Sequence, residues 1–482
     1  PAAPDGDAGE GESIYLDVYA GAQRTVDNGG YIMGMALLAD GQIGMDGEGT
    51  STYAADRTME DLFVMAGLAD TGGTGEDILA AFAAGQDPDG TYIAGGFGNI
   101  RTSQQNFNVF RADDNVGVDG TPGSLFTADE HILETIITAG TDAGYGVGPA
   151  GLPASPNPFV DQDPNTPGIQ DAIDEGGGVY TSIQAGLGDS GGDIDMVHIV
   201  ADGQVGATDG SDDLVATNEI IESMVVAGFS DTLAGDVLVD VLAGVPNAAV
   251  GAITGANIGT LGSAAWDTGG GYVDTVLLRA DGTVGHSSGN IIAAKNDIVD
   301  LALVAEGATV ADGTGAIDVG GINLDNVAGL SNIESALGSY WRVNLADNGG
   351  EVQDVLVSAY AGAQNGIWNS YLDNVAVLAD GQIGRGPEAT DVYSSDEDVW
   401  DFFAFAGLGD IGGSGEDFLA RVQAGYDPDG TTYGGGNILV SDQSYGVIRA
   451  DDNVGEDSND NLSDTTLIEA TDDIHNLVVA AG

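Results

Sequence analysis

Two short phrases hold a pair of carboxylates two residues apart on a glycine turn: Asp87-Pro88-Asp89-Gly90 and Asp427-Pro428-Asp429-Gly430. Carboxylates so spaced aim at one point, the arrangement that a hard, oxygen-seeking cation such as calcium requires. A third phrase, Asp161-Gln162-Asp163-Pro164-Asn165 with Asp171 and Asp174 behind it, copies the first half of an EF-hand loop. It lacks that loop's glycine at position six and its glutamate at position twelve. Calcium is the expected cofactor, and Asp87, Asp89, Asp427, Asp429, Asp161, Asp163, Asn165 and Asp171 are its candidate ligands. The competing reading of each is a solvated turn that binds nothing. That plainer reading is favoured for Asp113, Asp114 and Asp119, and for Asp451, Asp452, Asp457 and Asp460. Asp5, Asp7, Glu10 and Glu12 form a further cluster on a frayed end.

Catalytic patterns are thin. Asp70-Thr71-Gly72, Asp189-Ser190-Gly191 and Asp267-Thr268-Gly269 imitate the aspartic-protease tripeptide, whose paired carboxylates share a proton. The position matching Asp70 is Asp410-Ile411-Gly412, which drops the hydroxyl residue, so the imitation is one of turn chemistry. His131, His198, His286 and His475 fall at non-equivalent places and form no His-x-x-x-His pair. No nucleophile elbow, phosphate loop or dinucleotide fingerprint is present. The expectation is a protein that is not an enzyme.

The charge balance is extreme: 77 Asp plus Glu against 10 Lys plus Arg, a net charge of −67, with Lys295 the single lysine. No basic stripe exists to neutralise phosphates, which excludes nucleic acid and anionic membranes as partners. A chain this acidic repels itself unless counterions screen it, as high salt or extracellular divalent cations would. Asp outnumbers Glu and sits with Gly in tight turns, which favours the calcium-rich exterior. With no cysteine there is neither a disulfide framework nor a thiolate metal site. No run of 18 apolar residues, as a spanning helix needs, appears.

The elements that carry these residues repeat. Six times an apolar run ends in one phrase: Ala39-Asp40-Gly41-Gln42-Ile43-Gly44, then the phrases starting at Ala112, Ala201, Ala280, Ala379 and Ala450. Asp-Gly after a strand-like run predicts a hairpin turn. A second recurring stretch, as in Asp129 to Gly140 or Thr217 to Gly228, opens on Ser, Thr or an acid and closes on Gly. Apolar pairs four apart (Ile132/Ile136, Ile220/Met224, Val399/Phe403) predict a three-turn helix there, with a buried strand as the rival reading. A second short helix is predicted over Glu76–Phe82, Asp236–Leu242 and Glu416–Val422. The expected fold class is α+β, with three tandem domains of two β-hairpin–helix repeats each and a mainly antiparallel sheet. The expected divisions are 1–145, a proline-rich linker over 146–178, a diverged pair over 179–335, and 336–482, which copies the first.

An acidic, glycine- and aspartate-rich, cysteine-free and internally repeated chain of this kind resembles the secreted surface-assembly proteins of prokaryotes: S-layer, sheath and filament subunits and calcium-loaded adhesins. The resemblance rests on composition and repetition over the whole chain, and the glycine-rich RTX nonapeptide is absent. It implies calcium-dependent self-association outside the cell or at its surface. The leading expectation is a structural subunit of a lattice, sheath or filament whose partners are copies of itself. The alternative is a calcium-dependent adhesin or carbohydrate-binding module that contacts cell-surface glycans.

Overall fold

In a computed structural model of the chain, the described residues are 13–21, 29–44, 51–67, 76–86, 98–103, 107–118, 125–140, 177–187, 191–207, 212–228, 235–245, 270–286, 290–305, 318–319, 322–323, 353–363, 369–385, 391–407, 416–428, 430–432, 435–440, 446–455 and 468–481. Their regular structure is all strand. The chain coils through twelve successive rungs, numbered here along the sequence. Each rung adds one member to three parallel stacks.

The first stack is a single column of twelve apolar residues joined by parallel bridges: Ile14, Ile43, Ile78, Val116, Val179, Val205, Val237, Val284, Val355, Ile383, Phe418 and Val454. The second is a twelve-stranded parallel sheet of short strands, running from Val18–Ala20 through Thr52–Ala55 to Ile468–Ala470. The third is a sixteen-stranded sheet of the long strands, typified by Ile132–Ala139, Ile194–Ala201, Ile220–Ala227 and Val273–Ala280. The architecture is a parallel β-solenoid, about 50 Å long at the usual spacing of strands. Both sheets pair across residues 141–176 and 306–352: Ile132–Ala139 lies beside Ile194–Ala201, and Ile298–Ala305 beside Leu372–Ala379.

The corners explain the alanines. Every short strand ends on Ala at the same register, with Ser395 the one exception. The long strands end on Ala112, Ala139, Ala201, Ala227, Ala280, Ala305, Ala379, Ala406, Ala450 and Ala481, and Ala66 follows Phe63–Met65 at the same place. A column of small residues lets the chain turn sharply while the turns above and below stay stacked. Between corners the core is continuous and includes Tyr53, Phe82, Phe110 and Phe126. Tyr53 and Phe126 each stack on Phe82, with centroids 5.2 and 5.7 Å away.

These findings replace the α+β reading with an all-β, parallel one. The Asp-Gly turn closes no hairpin: Ile43 pairs with Ile14 and Ile78 on neighbouring rungs rather than with the run that precedes it. Antiparallel pairing among the described residues is confined to Asp318–Val319 with Ile322–Asn323 and one bridge from Tyr426 to Thr432. The predicted helices at Asp129–Gly140 and its copies are the long strands themselves. Their apparent helical spacing has a specific cause. The third residue of seven such strands (Glu134, Met196, Glu222, Thr275, Asp300, Asn374 and Asp401) is left-handed, as are Asp61 and Asn476 at the matching places of rungs 2 and 12, with φ between 45° and 56°. This left-handed residue turns two successive residues outward and shifts the alternation that follows, while the register between rungs is kept. Ile132 enters the core while Ile136 lies on the opposite face of its strand, buried at 2% exposure. Residues four apart thus do not share a face. The predicted short helices are likewise bridge and strand: Ile78, Val237 and Phe418 extend the first stack, and Ala81–Ala84, Asp240–Ala243 and Arg421–Ala424 follow.

Candidate functional site

Odd and even rungs differ at each corner, and the difference places the acids. Just past the short strand, odd rungs carry a left-handed glycine (Gly21, Gly85, Gly186, Gly244, Gly362, Gly425), with φ from 74° to 88°. Even rungs carry Asp56, Asp129, Thr217, Lys295, Asp396 or Thr471 there, and each side chain fills the space above a glycine. Past the long strand the alternation is reversed. Gly67, Gly140, Gly228 and Gly407 of even rungs lie under Asp113, Asp202, Asp281 and Asp451 of the next odd rung. The aspartate of the six-residue phrase is thus a stacking partner for a glycine.

Other acids hold rungs together through the backbone. Asp77, Asp236, Asp354 and Asp417 accept the N–H of Asn115, Thr283, Gln382 and Asn453 on the following rung, at 3.0, 2.7, 2.8 and 2.9 Å. Asp297 and Asp398 accept from Tyr371 and Asn437 at 2.9 and 2.8 Å. Within the phrase, the Gln42 and Gln382 amides donate to the carbonyls of Gly44 and Gly384, each at 2.7 Å. The short Asp side chain suits this bridging, which accounts for part of the preference for Asp over Glu.

Two further acidic groupings carry a burial cost. On the outer face of the long strands, burial and then Glu222, Asp193 and Glu134 push Asp195 up to about 6. Burial and then Asp401, Asp300 and Asp297 do the same to Asp373. In the short-strand sheet Asp213 and Asp240 are register partners on rungs 6 and 7. Burial pushes Asp240 up to about 7, against hydrogen bonds from Ile291 and Asn290. Asp213 is raised well above the carboxylate range by burial and then by Asp240 and Asp212.

The corner of rungs 10 and 11 is the most demanding site. Asp396 is 4% exposed and lies directly over Gly362, where any side chain would collide with its carboxylate. Neither carboxylate oxygen accepts a hydrogen bond from a donor among the described residues. Its side chain instead meets that of Asp427, which is 2% exposed. Burial, then Asp427 and then Glu397 push Asp396 up to about 10, so among the described residues the charged groups acting on it are anionic. The loop behind is closed by the Asp427 amide donating to Thr431 O at 3.0 Å and by Gly430 N donating to Asp427 O at 2.8 Å.

Of the eight candidate ligands only Asp427 falls among the described residues; Asp87, Asp89, Asp161, Asp163, Asn165, Asp171 and Asp429 lie outside them, as do Asp70, Asp189 and Asp267. The described residues hold no group of three or more His, Cys, Asp or Glu side chains set to bind a metal. Asp427 meets Asp396, a residue that the phrase-by-phrase reading passed over. A usable signal existed in Tyr53-Ala54-Ala55-Asp56 recurring as Tyr393-Ser394-Ser395-Asp396. His198 lies inside the strand Ile194–Ala201, where burial lowers it to about 4.

Among the described residues, the large apolar side chains most open to solvent mark the two end rungs. Tyr15, Leu16, Tyr19, Tyr31, Met33 and Leu38 belong to rung 1, and Ile474, Val478 and Val479 to rung 12. Among the described residues, rung 1 pairs only with rung 2, and rung 12 only with rung 11. Comparison with protein-family models, curated proteins and solved structures finds no match to the chain.

Proposed function

We propose that the chain is a structural subunit of an extracellular assembly, adding copies end to end, with divalent cations offsetting its charge. The observation that carries this reading is that, among the described residues, the exposed large apolar side chains all lie on rungs 1 and 12, the first and last of the described stack. An unpaired, apolar strand edge is a template for another strand. Rung 1 is of the odd kind and rung 12 of the even kind, so a second copy placed on rung 12 continues the alternation of glycine and acid. Such a contact is head-to-tail and propagates. A charge of −67 per copy opposes it and calls for cations at or near the junction.

The test is sedimentation of the full chain with and without calcium, alongside Leu38→Lys and Val479→Lys. Oligomers that grow with concentration in calcium and collapse to single copies in either variant are expected. A full chain that stays single in calcium, or whose two edges are already paired with further rungs of the same polypeptide, would overturn the reading. A single chain that binds glycans would favour the adhesin instead.

A further inference from the structure

We propose that Asp396 and Asp427 together hold a divalent cation of the calcium type, clamping rung 10 to rung 11. The inference rests on the cation part of the proposed function and not on assembly. Two carboxylates from successive rungs meet side chain to side chain in a space from which water is largely excluded. Neither oxygen of Asp396 receives a proton donor among the described residues, and an orphaned buried carboxylate costs several kcal/mol in order of magnitude. Something positive must lie between the two side chains: a cation or a shared proton.

The donor set favours the cation and its class. The two side chains offer carboxylate oxygens alone, which select hard ions over zinc or copper. Two carboxylates supply up to four of the roughly six to eight oxygens calcium takes, leaving the rest to backbone carbonyls and water. The site is also built. Gly362 leaves the Asp396 carboxylate room that any side chain would fill, and Asp56 lies over Gly21 in the same manner on rungs 1 and 2. A surface turn needs neither feature.

The experiment titrates calcium into the full chain at a concentration where it is single, in enough salt to suppress diffuse binding to its acidic surface. Binding is read by calorimetry and by the calcium-induced rise in Tm. The variants are Asp396→Asn and Asp427→Asn, which keep size and remove charge, with Asp401→Asn as the control for lost surface charge. The wild type and the control are expected to show a saturable site that either variant loses or weakens roughly tenfold or more, with a smaller rise in Tm. Equal binding and an equal rise in Tm in all four proteins would overturn the proposal. So would a wild type whose Tm ignores calcium while Asp396→Asn raises Tm in its absence, because the pair would then be held by a proton.

Discussion

Asp281 stands where Gly228, one rung earlier, has no side chain: a Cβ built on Gly228 would come 2.5 Å from the Cβ of Asp281. Gly228 is also left-handed at φ 74°. Gly228→Ala therefore combines backbone strain with a clash against a neighbour fixed by its own rung. A loss of about 2–4 kcal/mol is expected from chemical denaturation. Gly34 has a similar φ of 64° but no atom within 4 Å of a built Cβ, so Gly34→Ala should cost only the strain, about 1 kcal/mol. Equal losses at the two positions would show that stacking contributes nothing.

Stability should fall as pH rises from about 4 to about 7 in cation-free buffer. Asp195 and Asp373, each pushed up to about 6, and Asp240, pushed up to about 7, bind protons more tightly folded than unfolded. Their contribution is complete below the ordinary carboxylate value near 3.8 and is lost as pH climbs through those raised values. His131, raised chiefly by its hydrogen bond to Asp193, acts in the same sense. His198, lowered to about 4 by burial, opposes them below its ordinary value of 6.5. Asp240→Asn should raise stability by about 1–2 kcal/mol at pH 8 and hardly at all below about pH 4. It keeps the acceptor for Ile291 N and Asn290 while removing the charge facing Asp213. A Tm independent of pH, or a variant no more stable at pH 8, would contradict this.

The repeats, their punctuation and the strand character of runs such as Val375-Ala376-Val377-Leu378 were legible from residue types alone. What misled was the third residue of the long strands. At Glu134, Glu222 and Asp401 a polar residue in the left-handed region breaks the two-residue alternation, and a Ser/Thr or acidic start with a glycine end imitates helix caps. The same kind of strand was recognised where it runs into Asp-Gly, as at Leu372–Ala379, and mistaken for a helix where it ends in Ala-Gly, as at Ile220–Ala227. Parallel pairing between residues as far apart as Ala305 and Ala379 has no local signature. The Asp396–Asp427 contact was hidden for a related reason: its partners are 31 residues apart, and only the coiling of the chain stacks them.

The chain has no cysteine, so two can be introduced cleanly. Leu38 is register-paired through Met65 and Arg111 to Thr138, and Arg449 to Ala480, so Leu38 and Ala480 hold the same place on rungs 1 and 12. In a head-to-tail junction that continues the register they become neighbours at a distance a disulfide can close. Leu38→Cys with Ala480→Cys, oxidised in calcium, should run on a non-reducing gel as a ladder of covalent multimers, and either single substitution should stop at dimers. A double variant that also stops at dimers, or stays single, would contradict end-to-end stacking.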